Sequence, residues 1–181
     1  MSKPSDPGIP KTVVLIHGLW LTALCWEHWV ERYRKRGFDV VARSWPGLES
    51  DIEDIRNDPS AMAHVGLGDV VDHYEKIIHD LGQPVIIMGH SFGGLVTQLL
   101  LDRGQGAAGV AIDSAAPKGV FRLPPSEVKS NARLQDPSMS ITAYEEFPGR
   151  SHYIFGQPGW EEVADFALDW ALDPQEMDDE I

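Results

Sequence analysis

The sequence of 181 residues has one cysteine, Cys25. A lone cysteine cannot close an intramolecular disulfide, which excludes a secreted disulfide scaffold. Positive charge is scarce as well: 15 Lys and Arg stand against 28 Asp and Glu, a net charge of −13. A surface that acidic argues against binding nucleic acid or an anionic membrane by charge. Long apolar runs are missing, and the longest have strand length, too short to span a bilayer. The opening stretch, 1–10, holds Pro4, Pro7, Gly8 and Pro10 and lacks the basic-then-apolar pattern of a signal peptide. It reads as a flexible lead-in, and the expected location is cytoplasmic. The closing stretch, 173–181, carries Asp173, Glu176, Asp178, Asp179 and Glu180 and reads as a solvated, frayed acidic tail. Between them the composition is globular, with 43% hydrophobic residues and 24% charged. The span 11–172 has the length of one domain.

The apolar pattern alternates between two periods. Thr12 to Ile16 (TVVLI), Phe38 to Ala42, Val85 to Met88 and Ala107 to Ile112 are short apolar runs that predict buried strands. Ser140 to Phe147 alternates enough to predict a fifth. A helix capped by Thr22 is predicted to run to Arg36, stopped by Gly37, and another from Val70 to Leu81, stopped by Gly82. Another starts just past Ser91 and runs through Leu101. A fourth spans Trp160 to Leu172, with Trp160, Val163, Ala164, Ala167 and Trp170 near one face. Ser126 to Leu134 has the makings of a short helix. Trp45-Pro46-Gly47 reads as a turn, and Glu49 to Gly68 as a broken, loop-rich stretch. Strand alternating with helix predicts an α/β fold: about five mostly parallel strands with helices on both faces.

Gly89-His90-Ser91-Phe92-Gly93-Gly94 sits between a predicted strand and a predicted helix. That is G-x-S-x-G in the context its chemistry needs. A sharp, strained turn pushes the Ser91 hydroxyl out over the sheet edge. Gly89 and Gly93 leave room for neighbouring backbone. The helix behind Ser91 offers N–H groups and partial positive charge to a developing oxyanion. His17-Gly18-Leu19-Trp20 follows the first strand and supplies a second donor. The expected oxyanion pair is therefore the amides of Phe92 and Leu19.

A serine needs a base. His28, His73 and His79 fall on predicted helices, His64 in an irregular loop, and His90 precedes Ser91 and reads as packing. His152, in Phe147-Pro148-Gly149-Arg150-Ser151-His152, follows the predicted fifth strand, where a loop can carry a base over the sheet. It is the base this reading selects. Trp26 and Trp29, three apart, read as core. Trp20, beside the oxyanion loop, and His17 are expected to line a substrate pocket. Cys25 reads as a small buried residue.

Together these residues resemble the α/β-hydrolase family, and its esterase, lipase and hydroxynitrile-lyase-like bacterial members in particular. VVLIHGLW, PVIIMGHSFGG, AAGVAIDSAAPKGV and FPGRSHYIFGQPGWEEVADFALDWAL carry the resemblance, with SWPGLESDIEDIRNDPS and VDHYEKIIHDLG between them. It implies Ser91 as nucleophile, His152 as base, Leu19 and Phe92 as oxyanion donors, and no metal or organic cofactor. The sequence departs from the family where Gly119 to Leu123 runs straight into Pro124-Pro125-Ser126. That leaves no segment for the usual cap and acid-bearing strand, so the expected fold is a minimal core without a cap domain. Asp113, at the end of the fourth strand, is the first candidate for the acid. Asp136, or a Ser–His dyad without an acid, remains open. The reaction expected is hydrolysis of small or short-chain carboxylic esters. The alternatives are a degenerate hydrolase that binds without turnover, and a hydroxynitrile-lyase-like enzyme using Lys118. The expected partner is a small ester. An uncovered sheet edge or cap-less face would favour a homodimer.

Overall fold

The computed structural model describes residues 10–50, 52–116 and 142–173. The chain divides into two compact units, 1–115 and 116–181.

The first unit is a parallel sheet flanked by helices. Its elements are β1 (Thr12–Ile16), α1 (Glu27–Lys35), β2 (Asp39–Ala42), α2 (Ile52–Asn57), α3 (Leu67–Leu81), β3 (Val85–His90), α4 (Phe92–Asp102) and β4 (Ala108–Ile112). The described strands lie in the order β2-β1-β3-β4, all parallel. Every residue of β1 and β3 is buried, as continuous apolar runs in the middle of a parallel sheet require. β2 and β4, at the ends, are only partly buried.

The two faces have separate cores. On one, Val14, Ile16 and Ile87 meet Val70, Tyr74 and Ile78 of α3 and Val96 and Leu100 of α4. On the other, the α1 side chain of Tyr33 donates to Met88 Sδ at 3.5 Å. Trp26 and Trp29 pack edge to face there, as do Trp29 and Tyr33. Both tryptophans are buried, as their spacing predicts, and burying a large apolar side chain contributes about 1.5–3 kcal/mol. Gly37 (φ +88) and Gly82 (φ +61) end α1 and α3 in the left-handed region that favours glycine.

Some boundaries differ from the sequence pattern. The turn before α1 is a 3-10 turn, Ala23–Trp26, and Thr22 makes no side-chain capping bond to it. The loop-rich stretch contains α2 and a 3-10 turn, Pro59–Met62, whose Ser60 amide donates to Asp58 Oδ1 at 3.0 Å. α3 begins at Leu67 because Asp69 Oδ2 accepts from the Gly66 amide at 2.8 Å and caps the helix early.

In the second unit, α5 spans Trp160–Leu172, the bounds the pattern predicts. It follows Gly159 at φ +87, carries Glu161 and Glu162 in its first turn, and buries Val163, Ala164, Ala167, Leu168 and Ala171. The fifth strand is a correction: residues 142–147 are not strand. Tyr144, Glu145 and Glu146 are consecutively exposed, so the segment has no face to bury. Phe147 instead packs edge to face on Phe166 of α5 at 5.7 Å. The Ser126–Leu134 helix, Asp136, Lys118, residues 1–9 of the lead-in and the tail beyond Asp173 lie outside the described residues.

Candidate active site

Strand register brings three loops of the first unit together. Ile16 pairs with Gly89, and His90 with Ile112, so β1, β3 and β4 end side by side at one sheet edge. The loops beginning at His17, Ser91 and Asp113 leave from that edge, the carboxyl end of a parallel sheet.

Ser91 has φ 55 and ψ −120, a left-handed backbone for a residue with a Cβ. Such a conformation costs about 1–3 kcal/mol and persists only where its surroundings over-determine it. Here they do. The Ser91 amide donates to Ile112 O at 3.0 Å, and its carbonyl accepts from the amides of Gly94, Leu95 and Ala115 at 3.0, 3.2 and 3.0 Å. The motif glycines follow from close approach. A Cβ on Gly89 would stand 2.1 Å from Gly93 O, and one on Gly93 2.1 Å from Ile16 O. The tight turn and the exit of β1 therefore touch backbone to backbone.

The oxyanion-loop residues lie next to this turn. A Cβ on Gly18 would be 3.0 Å from the Ser91 Cβ, so the loop after β1 passes directly beside the serine. Leu19 follows, its side chain half-buried against the core. Phe92 opens α4, and first-turn amides of a helix have no intrahelical acceptor.

His17 and Trp20 take opposite environments. His17 is fully buried rather than part of a pocket wall. Its Nε2 accepts from the Trp45 amide at 3.1 Å, which fixes the Nδ1–H tautomer, and Nδ1 donates to Gly18 O at 2.9 Å. The ring stacks on the Trp45 indole at 5.2 Å. Burial pushes its pKa down to about 4. His17 therefore pins the loop as a neutral imidazole. Trp20 has φ +68 and is 89% exposed, on the loop that follows β1.

Asp113 is exposed at φ +42, in the bend by which the chain leaves β4. One of its carboxylate oxygens and a ring nitrogen of the buried His90 lie within 4.8 Å of each other. Its neighbour Ala115 sends its amide to Ser91 O. Cys25 is half-buried, and burial pushes its thiol up to about 12, which removes it as a nucleophile.

His152 belongs to the second unit, exposed in a loop that is tied internally. Gln157 Oε1 accepts from both the amide (3.0 Å) and the hydroxyl (2.6 Å) of Ser151. Ser151 Oγ in turn accepts from the Tyr153 amide at 3.2 Å. Ser151 thus hangs from the Gln157 side chain, and Tyr153 from the Ser151 hydroxyl. Arg150 donates to Pro158 O at 3.0 Å and pairs with Glu162 of α5 at 2.5 Å. His28, His64 and His79 are exposed, and His73 packs edge-on to Tyr74.

Trp45, Ala115 and Gln157 were not singled out by the sequence. Each acts through a hydrogen bond that neither periodicity nor motif spacing encodes.

The sequence profile of the Alpha/beta hydrolase family matches residues 13–179. None of the curated proteins matches the chain. Among solved structures it is similar to an extracellular alpha/beta-hydrolase from a Paenibacillus species, at 29% identity over 60% of this chain and 42% of that one, with a TM-score of 0.48. It is similar to a monoacylglycerol lipase of Paleococcus ferrophilus at 30% identity, over 57% and 38% of the two chains, with a TM-score of 0.46. A methylesterase from Arabidopsis shares 19% identity over 59% and 44%, with a TM-score of 0.45. The chain spans less than half the length of each of these structures.

Proposed function

The chain belongs to the alpha/beta hydrolase family, and on that premise we propose that it is a serine hydrolase of small carboxylic esters. The observation that carries this reading is the backbone of Ser91: left-handed, held by four hydrogen bonds, and flanked by glycines that only a tight strand-to-helix turn requires. Such a turn serves to present a hydroxyl.

In this reading Ser91 Oγ attacks the ester carbonyl while His152 accepts its proton. The amides of Leu19 and Phe92 donate to the oxyanion of the tetrahedral intermediate. His152 returns the proton to the leaving alcohol, and the acyl-enzyme remains. Water then attacks, again deprotonated by His152, and releases the carboxylic acid and free Ser91. Asp113 is the carboxylate proposed to hold the imidazole. Its bend is bracketed by Ile112 and Ala115, both bonded to Ser91. No metal or cofactor takes part in these steps. The expected partner is the small ester alone, with neither nucleic acid nor a membrane, and the expected location is cytoplasmic. A homodimer through an open sheet edge or a cap-less face belongs to the same reading, and light scattering at micromolar protein decides it against a monomer. Among the described residues no helix is long and apolar enough to cross a membrane.

The test is hydrolysis of p-nitrophenyl acetate with parallel fluorophosphonate labelling. Wild type is expected to turn over and to label, and Ser91→Ala to do neither. Equal, poor hydrolysis by both proteins would overturn the reading in favour of a binding protein without turnover. Within it, Asp113→Asn is expected to lower kcat by about 100- to 10,000-fold. A change below threefold would leave a Ser–His dyad.

A further inference from the structure

The serine turn is held from outside its own helix. The bonds Ser91 N–H to Ile112 O and Ala115 N–H to Ser91 O straddle Asp113 and Ser114, the bend leaving β4. That bend contains a left-handed non-glycine residue, so it too must be held by its surroundings.

The hold is a side-chain pair. Gln98 Nε2, on α4, donates to Ser114 Oγ at 2.8 Å and reaches Gly94 O at 3.4 Å. Ser114 Oγ donates to Ala115 O at 2.9 Å. Because Gln98 occupies the hydroxyl oxygen as a donor, the hydroxyl hydrogen is left to point at Ala115 O. This closes a small ring around Ala115 and fixes the direction of its amide, which faces Ser91 O. The first turn of α4 is shaped to receive Ser114: a Cβ on Gly94 would stand 2.8 Å from the Ser114 Cβ and 2.9 Å from its Oγ. Gln98 is a half-buried amide between Thr97 and the apolar Leu99 of α4, and such a group needs a partner.

We propose that Gln98 and Ser114 are a positioning pair that sets the backbone of Ser91, and with it the direction of the Asp113 bend, through the Ala115 amide. Neither side chain touches substrate. The proposal rests on Ser91 being the nucleophile. Loosening the pair withdraws one of three donors from the Ser91 carbonyl and lowers the fraction of molecules with the hydroxyl in the attacking position. Substrate binding does not use these bonds, so the effect falls on kcat rather than KM.

The test uses the full chain with Gln98→Leu, Ser114→Ala, the double variant and Ser114→Thr, which keeps the hydroxyl. Ester turnover and hydrogen exchange at the Ala115 amide are measured in each. Each single loss is expected to lower kcat about 10- to 100-fold with KM within about twofold. The double variant is expected to be no worse than the worse single, because the two residues act as one unit. Ser114→Thr is expected to stay within about threefold of wild type. Ala115 exchange should rise at least about tenfold in both singles and stay unchanged in Ser114→Thr. Near-wild-type kcat in both singles, multiplying losses in the double, or unaltered Ala115 exchange overturns the proposal. Should Ser114→Ala fold poorly, Gln98→Leu, at a half-buried helix position, carries the test. If wild-type turnover does not depend on Ser91, the proposed function fails separately, and Ala115 exchange alone decides the pair.

Discussion

The imidazole of His17 accepts a hydrogen bond from the Trp45 amide at 3.1 Å and lies stacked on the Trp45 ring, tying the loop after β1 to the loop after β2. The contact works only with neutral His17. Its folded pKa, about 4, lies below the unfolded value of 6.5. The unfolded chain therefore binds the proton first. The stabilisation is complete above pH 6.5 and is lost as pH falls towards 4, to the extent of about 3 kcal/mol. Urea denaturation at pH 7.5 and pH 4.5 should show this slope in wild type and a shallower one in His17→Gln. Parallel slopes would remove His17 as the cause.

Ser91→Gly should separate stability from activity. Glycine takes φ 55 without a Cβ penalty, so the variant is expected to gain about 1 kcal/mol while losing ester turnover. The denaturation midpoint and the nitrophenyl ester assay check both halves. A less stable variant would mean that the turn is not strained.

Two glycine substitutions should differ by mechanism. Gly93→Ala drives a methyl into Ile16 O and is expected to cost more than about 3 kcal/mol or to prevent folding. Gly82→Ala meets open space, so only its φ of +61 opposes it, at about 1 kcal/mol. Equal losses by denaturation would refute the steric account of Gly93.

Gln157 should matter to the His152 loop. Gln157→Leu removes the oxygen that holds Ser151 and is expected to lower kcat about tenfold with KM nearly unchanged, and Gln157→Glu, which keeps an acceptor, to recover most of it. A flat response in both would remove Gln157 as the hold on this loop.

Native Cys25 should react with iodoacetamide at pH 8 at least about 100-fold more slowly than in urea, because only the thiolate attacks and burial suppresses it. Comparable rates would place the thiol in open water.

The elements that the sequence shows are those whose signal is local. TVVLI is buried on both faces, so its run is continuous. Trp160 to Leu172 buries one stripe, so its spacing gives both ends of the helix. Gly89, Ser91 and Gly93 are visible because a strained turn admits few residues. What the sequence hides is pairing between distant segments. Ser140 to Phe147 alternates as strands do, yet residues 142–147 are not strand, and Tyr144, Glu145 and Glu146 are exposed in succession. His17 looks like a site residue because of its motif, but its ring is spent on Trp45, and only the fold reveals that partner.

The contact between Gly93 and the Ile16 carbonyl has a consequence for anyone transplanting this chemistry. With no side chain between them, the exit of β1 and the start of α4 share one surface, with no compliant layer to absorb a mismatch. The segments 12–20 and 85–97 form a single graft. Moving the serine turn alone onto another scaffold would require that scaffold's neighbouring strand to end at the same height within a few tenths of an ångström.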